Sequence, residues 1–178
     1  MPGRLMPEFD ISQVNVLIVE DNLHFRTLMR TILKALGVET VEEARDGAEA
    51  MEVLASFDAD MAIIDWKMDG VDGVECVRRI RHGEDNVDKF LPIIMVTGYT
   101  DETLANEARN AGVNDFLSKP ISAKSLLSRI NSVISDNRAY INSGGYFGPD
   151  RRRQDRKFSG DEKRLNEATL IIPAIQAT

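Results

Sequence analysis

From Val14 to Ser135, short apolar runs alternate with longer stretches whose apolar residues recur every three or four positions. Val14-Asn15-Val16-Leu17-Ile18-Val19 is nearly continuous, as expected of a strand covered on both faces. Leu28, Ile32, Leu33 and Leu36 follow at helical spacing from about Leu23, and Gly37 closes that helix. Val38–Glu43 alternates weakly and predicts an edge strand. Gly47–Ser56 predicts a short helix with Ala48, Met51 and Leu54 inward. Met61–Ile64 is a third strand, and Val74–Arg81 a helix with Val77 and Ile80 facing in. Ile93–Val96 is a fourth strand behind Pro92. Thr100–Ala111 reads as a helix closed by Gly112, Asn114–Leu117 as a fifth strand, and Ser122–Ser135 as a last helix carrying Leu126, Leu127, Ile130, Val133 and Ile134.

Five strands alternating with five helices predict an α/β fold: a parallel sheet covered on both faces and doubly wound through right-handed crossovers. Ligands of such sheets sit at the carboxyl ends of the strands. The pattern stops after Asp136. Asn142-Ser143-Gly144-Gly145 and Gly148-Pro149 read as breakers, and Arg151-Arg152-Arg153-Gln154-Asp155-Arg156-Lys157 as a basic run. The expected organisation is an N-terminal arm over 1–12, a domain over 13–136, and an extension over 137–178 that is largely irregular or disordered, or a docking segment. Tyr146, Phe147, Arg151, Arg152 and Arg153 are its docking candidates, because arginine and aromatic side chains carry much of the binding energy at interfaces. A fold of this segment back onto its own acidic domain is the other reading.

Composition narrows the class. Of 178 residues, 43% are apolar and 29% charged, which suits a packed domain. No apolar run approaches the ~20 residues of a membrane span, and the N-terminus lacks a secretory apolar region. A lone cysteine fits a reducing cytoplasm. The net charge of −7 is uneven: from Asp136 onward there are eight basic and six acidic side chains, leaving −9 on the first 135 residues. An acidic domain with a mildly basic tail argues against nucleic acid as the partner.

The chemistry concentrates at strand ends. Glu20-Asp21 closes the first strand and Asp65 the third, so three carboxylates can converge on one sheet edge. Such groups are hard to ionise together, and a hard divalent cation with oxygen ligands, magnesium above all, resolves the conflict. Thr97 ends the fourth strand and Lys119 the fifth, adding a hydroxyl donor and a fixed cation. This set suits attack of a carboxylate on phosphorus to give an aspartyl phosphate, with cations neutralising charge on the phosphoryl oxygens.

On Glu20-Asp21, Asp65-Trp66-Lys67-Met68-Asp69-Gly70-Val71-Asp72-Gly73, Thr97-Gly98 and Phe116-Leu117-Ser118-Lys119-Pro120, the chain resembles the receiver domain of two-component response regulators. The resemblance implies a flavodoxin-like strand order 2-1-3-4-5. It implies that Asp65 accepts a phosphoryl group from a histidine kinase or a histidine phosphotransfer protein. Glu20, Asp21, Asp65 and the backbone carbonyl of Lys67 would hold Mg²⁺. Thr97 and Phe116 would act as switch residues, with Lys119 pairing a phosphoryl oxygen and its bond to Pro120 often cis. The output would be a changed contact with a downstream protein, with a homodimer allowed. Asp69 stands where the family usually has proline, and Phe116 lacks a tyrosine's hydroxyl. Lys67 and Tyr99 are candidates for setting the lifetime of the acyl phosphate. A transcriptional regulator using its basic tail on DNA, or an aspartyl-phosphate phosphatase, are the competing expectations. The phosphatase needs an acid two residues past the nucleophile, where Lys67 stands.

Overall fold

The computed structural model describes residues 10–98, 102–151 and 169–171. Its main body alternates β1 (Asn15–Val19), α1 (Leu23–Ala35), β2 (Thr40–Ala44), α2 (Gly47–Leu54), β3 (Met61–Asp65), α3 (Gly73–His82), β4 (Ile93–Thr97), α4 (Glu102–Ala111), β5 (Asp115–Ser118) and α5 (Ala123–Ile134). The five strands form one parallel sheet in the order β2-β1-β3-β4-β5. The sheet is doubly wound, as expected from the sequence. Boundaries move by a residue or two. β2 begins two positions later than its alternation suggests, and β5 one position later. β3 runs through Asp65, which is its last paired residue.

Strand alternation splits the core into two layers. Leu17, Val19, Ala62, Ile64, Ile93 and Met95 face Met51, Val74, Val77, Ile80 and Ala108 of α2, α3 and α4. Val16, Ile18, Met61, Ile63, Ile94 and Val96 face Met29, Leu33, Leu126, Ile130 and Val133 of α1 and α5. Met29, Met51 and Met61 are therefore core residues, as is Cys76.

Local chemistry sets where the helices begin, and so where the loops above the sheet lie. The side chain of Asn22 accepts from the Phe25 N–H, Asp72 caps α3, and Ser122 with Ser125 forms a reciprocal cap on α5. Gly73 opens α3 so close to β3 that a Cβ there would lie 2.1 Å from the carbonyl oxygen of Asp65. Only glycine lets the helix start directly beneath that residue.

Within the extension, residues 140–149 and 169–171 depart from the reading as irregular chain. Tyr140–Ser143 (β6) and Tyr146–Pro149 (β7) form an antiparallel hairpin, and Thr169–Ile171 (β8) pairs with β6. Gly144 and Gly145, with φ of 56° and 83°, are the two central residues of the turn. What reads as a breaker is the two-residue turn that antiparallel strands favour. The hairpin sits at the end of the sheet away from the strand-end carboxylates. The Tyr140 hydroxyl donates to the Phe90 carbonyl (3.0 Å) and accepts from Asn114 Nδ2 (3.1 Å). Phe90, Tyr140 and Phe147 form an aromatic cluster with ring centroids 5.1–5.6 Å apart. Arg138 donates to the Asn114 carbonyl and pairs with Asp136. Asn114 also holds buried Arg81, whose remaining bonds go to the carbonyls of Lys89, Leu91 and Gly112.

Three of the docking candidates, Tyr146, Phe147 and Arg151, are thus occupied within the chain. Phe147 lies under Lys89 Nζ, and the Tyr146 ring is covered by Arg151 at 4.3 Å while its hydroxyl donates to the Pro149 carbonyl. Arg152 and Arg153 lie outside the described residues, as do most of the N-terminal arm and Tyr99. Among the described residues, no helix is long and apolar enough to cross a membrane.

Candidate functional site

The carboxyl ends of β1 and β3 are neighbours, with Val19 paired to Ile64, so the residues that follow each strand meet above the sheet. Glu20, Asp21 and Asp65 each offer a carboxylate oxygen, and these oxygens lie within 4.8 Å of one another. Glu20 and Asp65 are buried, at 1% and 5% exposure, whereas Asp21 is open to solvent. One oxygen of Glu20 accepts from the Asn22 N–H at 3.1 Å, and Asp21 accepts from the Asp69 N–H at 3.1 Å. The second bond ties the loop after β3 to the acidic pair.

Lys119, following β5, reaches across to this cluster. Its Nζ is 2.8 Å from Asp65 Oδ1 and 3.4 Å from Glu20 Oε2. The Lys119–Pro120 bond is cis, and the Lys119 N–H donates to the Thr97 carbonyl at 2.9 Å. Thr97 itself ends β4, half-buried beside Asp65 in the sheet order.

Burial, chiefly, raises the Asp65 carboxyl above its ordinary value. Lys119 opposes that rise and the charge of Asp21 adds to it. Glu20 is also raised, by burial first and by Asp65 second. Burial alone would depress the Lys119 ammonium, but Asp65 and Glu20 together outweigh it and leave it raised. One ammonium therefore does not settle three crowded carboxylates, two of them out of water. An all-oxygen, anionic donor set of this kind fits a hard divalent cation.

The other candidates fall around this centre at different depths. Lys67 is exposed two residues past Asp65, and its backbone N–H donates to the Asp65 carboxyl. Phe116 is half-buried on β5 with the Arg109 guanidinium 5.5 Å above its ring. Two residues near the centre carry no obvious mark in the sequence. Arg26 donates to the Glu20 carbonyl at 2.7 Å while pairing with Glu43. The Phe25 ring lies 4.1 Å from Lys119 Nζ. Both sit one turn into α1, so spacing from the acidic pair was the only available signal.

A family model for the response regulator receiver domain matches residues 16–131. The chain belongs to the response regulator receiver family. It is 32% identical over 120 residues to the chemotaxis protein CheY-3 of Vibrio cholerae, covering 67% of this chain and 91% of that one. It superposes on the receiver domain of the sensor histidine kinase PA1611 of Pseudomonas aeruginosa, solved with magnesium in its active-site cleft. That match has a TM-score of 0.62 and 28% identity, over 69% of this chain and 98% of the other. A complex of CheX with CheY, BeF3 and magnesium from Borrelia burgdorferi is similar at a TM-score of 0.62 and 26% identity, over 69% and 90%. Receiver domains are the phosphoacceptors of two-component signalling, and this receiver is placed in that process by its family.

Proposed function

We propose that this receiver takes a phosphoryl group on Asp65 from a histidine kinase or phosphotransfer protein and passes the signal on by changing a protein contact. The observation that carries this reading is the buried Asp65 carboxyl, at the end of β3, ion-paired at 2.8 Å to Lys119 and crowded by Glu20 and Asp21. A carboxylate oxygen of Asp65 forms the new P–O bond as the P–N bond to the donor's imidazole breaks. Glu20, Asp21, Asp65 and the Lys67 carbonyl would hold magnesium, which when bound offsets charge on the carboxylates and the phosphoryl oxygens. Lys119 keeps a fixed positive charge at Asp65, so an oxygen of the phosphoryl group inherits its ammonium as partner. Thr97, at the end of the neighbouring strand, supplies a hydroxyl to another oxygen, and Phe116 follows that movement on β5.

Lys67, exposed beside the acceptor, and Tyr99 set the lifetime of the acyl phosphate. Its hydrolysis is the one turnover assigned to this chain. Lys67 stands where a phosphatase of this sheet type needs its acid, which supports an acceptor rather than an enzyme acting on external substrates. Phosphorylation then biases an equilibrium between two arrangements of the protein.

Acetyl phosphate with Mg²⁺ tests the reading. The wild-type protein is expected to gain one phosphoryl group by intact mass, Asp65→Asn none, and chelation of the metal is expected to block the gain. Modification that persists in Asp65→Asn, or that needs no divalent cation, would overturn it.

A further inference from the structure

We propose that Phe25 is a positioning residue for phosphoryl acceptance, its ring face holding the Lys119 ammonium over the site; this rests on Asp65 being the acceptor. Among the described residues, the near neighbours of the ammonium are Asp65 Oδ1 at 2.8 Å, Glu20 Oε2 at 3.4 Å and the Phe25 ring at 4.1 Å from its centroid. Two of these change character in the reaction. Asp65 exchanges its negative carboxylate for an acyl phosphate, and Glu20 turns its charge to a bound cation. The ring is neutral and takes part in neither event. Of these three, it is the neighbour whose attraction for the ammonium is the same before and after transfer, because a cation over an aromatic face is held by the ring quadrupole.

The ring can do this because it is itself fixed. Phe25 lies in the first turn of α1, its N–H is held by the Asn22 side chain at 3.1 Å, and its ring packs against the core layer shared by α1 and α5. It covers one side of the ammonium, which on another side meets the carboxylates. Lys119 is otherwise a long side chain with a large entropic cost of ordering. The Phe25 face reduces the number of positions it samples.

Beryllofluoride in the presence of Mg²⁺ is the probe, with Phe25→Leu and Phe25→Trp compared to wild type. Leucine keeps the apolar packing and removes the quadrupole, so Phe25→Leu is expected to bind beryllofluoride roughly two- to fivefold more weakly. Phe25→Trp is expected to stay within about twofold of wild type, since indole is the strongest of the aromatic faces. Mg²⁺ affinity, followed by Trp66 emission in wild type and Phe25→Leu, is expected to be the same in both. The ε-methylene protons of Lys119 should be shifted upfield by the ring in wild type and should lose that shift in Phe25→Leu. Wild-type beryllofluoride affinity in Phe25→Leu, equal losses in the Leu and Trp variants, or an unshifted Lys119 resonance in wild type would each overturn the inference. If the wild-type protein takes no beryllofluoride, the acceptor reading fails instead, and the Lys119 resonance still decides whether the ring holds the ammonium.

Discussion

At Asp65 the conflict between burial and charge has a consequence for stability. Its folded-state carboxyl titrates above the ordinary range, so the folded protein holds that proton to higher pH than the unfolded chain. Stability of the metal-free protein must then fall as pH rises from the ordinary carboxylate range through the raised value. Asp65→Asn removes this dependence. Its melting temperature relative to wild type, measured without metal, is expected to rise as pH is raised from the ordinary carboxylate range upward, because wild type alone loses stability there. A difference that stays flat or shrinks over that interval would contradict the assignment. Cys76 gives a second check on burial, which pushes its thiol up to about 12. The thiolate is the reactive species, so native protein at pH 8 is expected to resist alkylation until denatured. Residues of this kind differ in how legible they are. Glu20, Asp21, Asp65, Thr97 and Lys119 can be found from sequence because each ends a short apolar run, and strand ends converge in a parallel sheet. Phe25 and Arg26 cannot be found that way, because their partners at the site are set by how α1 lies over β1 and β5.

Elements of the main body are legible for the same reason: buried strands read as apolar runs and their helices carry one apolar stripe. The hairpin is not. β6 and β7 are four residues each, too short for alternation to show, and Gly144-Gly145 reads as a break unless strands are already known on both sides. Its contacts with the body are specific. Tyr140 completes two hydrogen bonds at once, to Phe90 and Asn114, and Asn114 in turn holds Arg81 and the N–H of Ile93 at the start of β4. Tyr140→Phe leaves buried polar groups without partners and is expected to cost about 1–3 kcal/mol. Ending the chain after Asp136 removes the Tyr140 and Phe147 rings as well, with an expected loss of roughly 3–5 kcal/mol, the scale of deleting a buried aromatic. Urea midpoints of the two variants measure both. A truncated protein as stable as the full chain would show that the body does not depend on the hairpin.

Across the molecule, the two ends of the sheet have separate tasks. The carboxyl ends of β1, β3 and β5 gather charged groups, and the three carboxylates among them are costly together without a cation. The opposite ends of β4 and β5 are fastened to the hairpin through hydrogen bonds, aromatic packing and cations set over its rings. Helices α3 and α4 lie between these ends, and β7 packs on both. The site at Asp65 therefore lies in a body whose far end is braced. The account depends on Asp65 being the residue that carries the phosphate. Borohydride reduction of protein treated with acetyl phosphate and Mg²⁺ tests this directly, since it converts an aspartyl phosphate to homoserine, which peptide mapping locates. The account predicts homoserine at position 65, dependent on Mg²⁺. Conversion at another carboxylate, or none under conditions that label a known receiver, would contradict it.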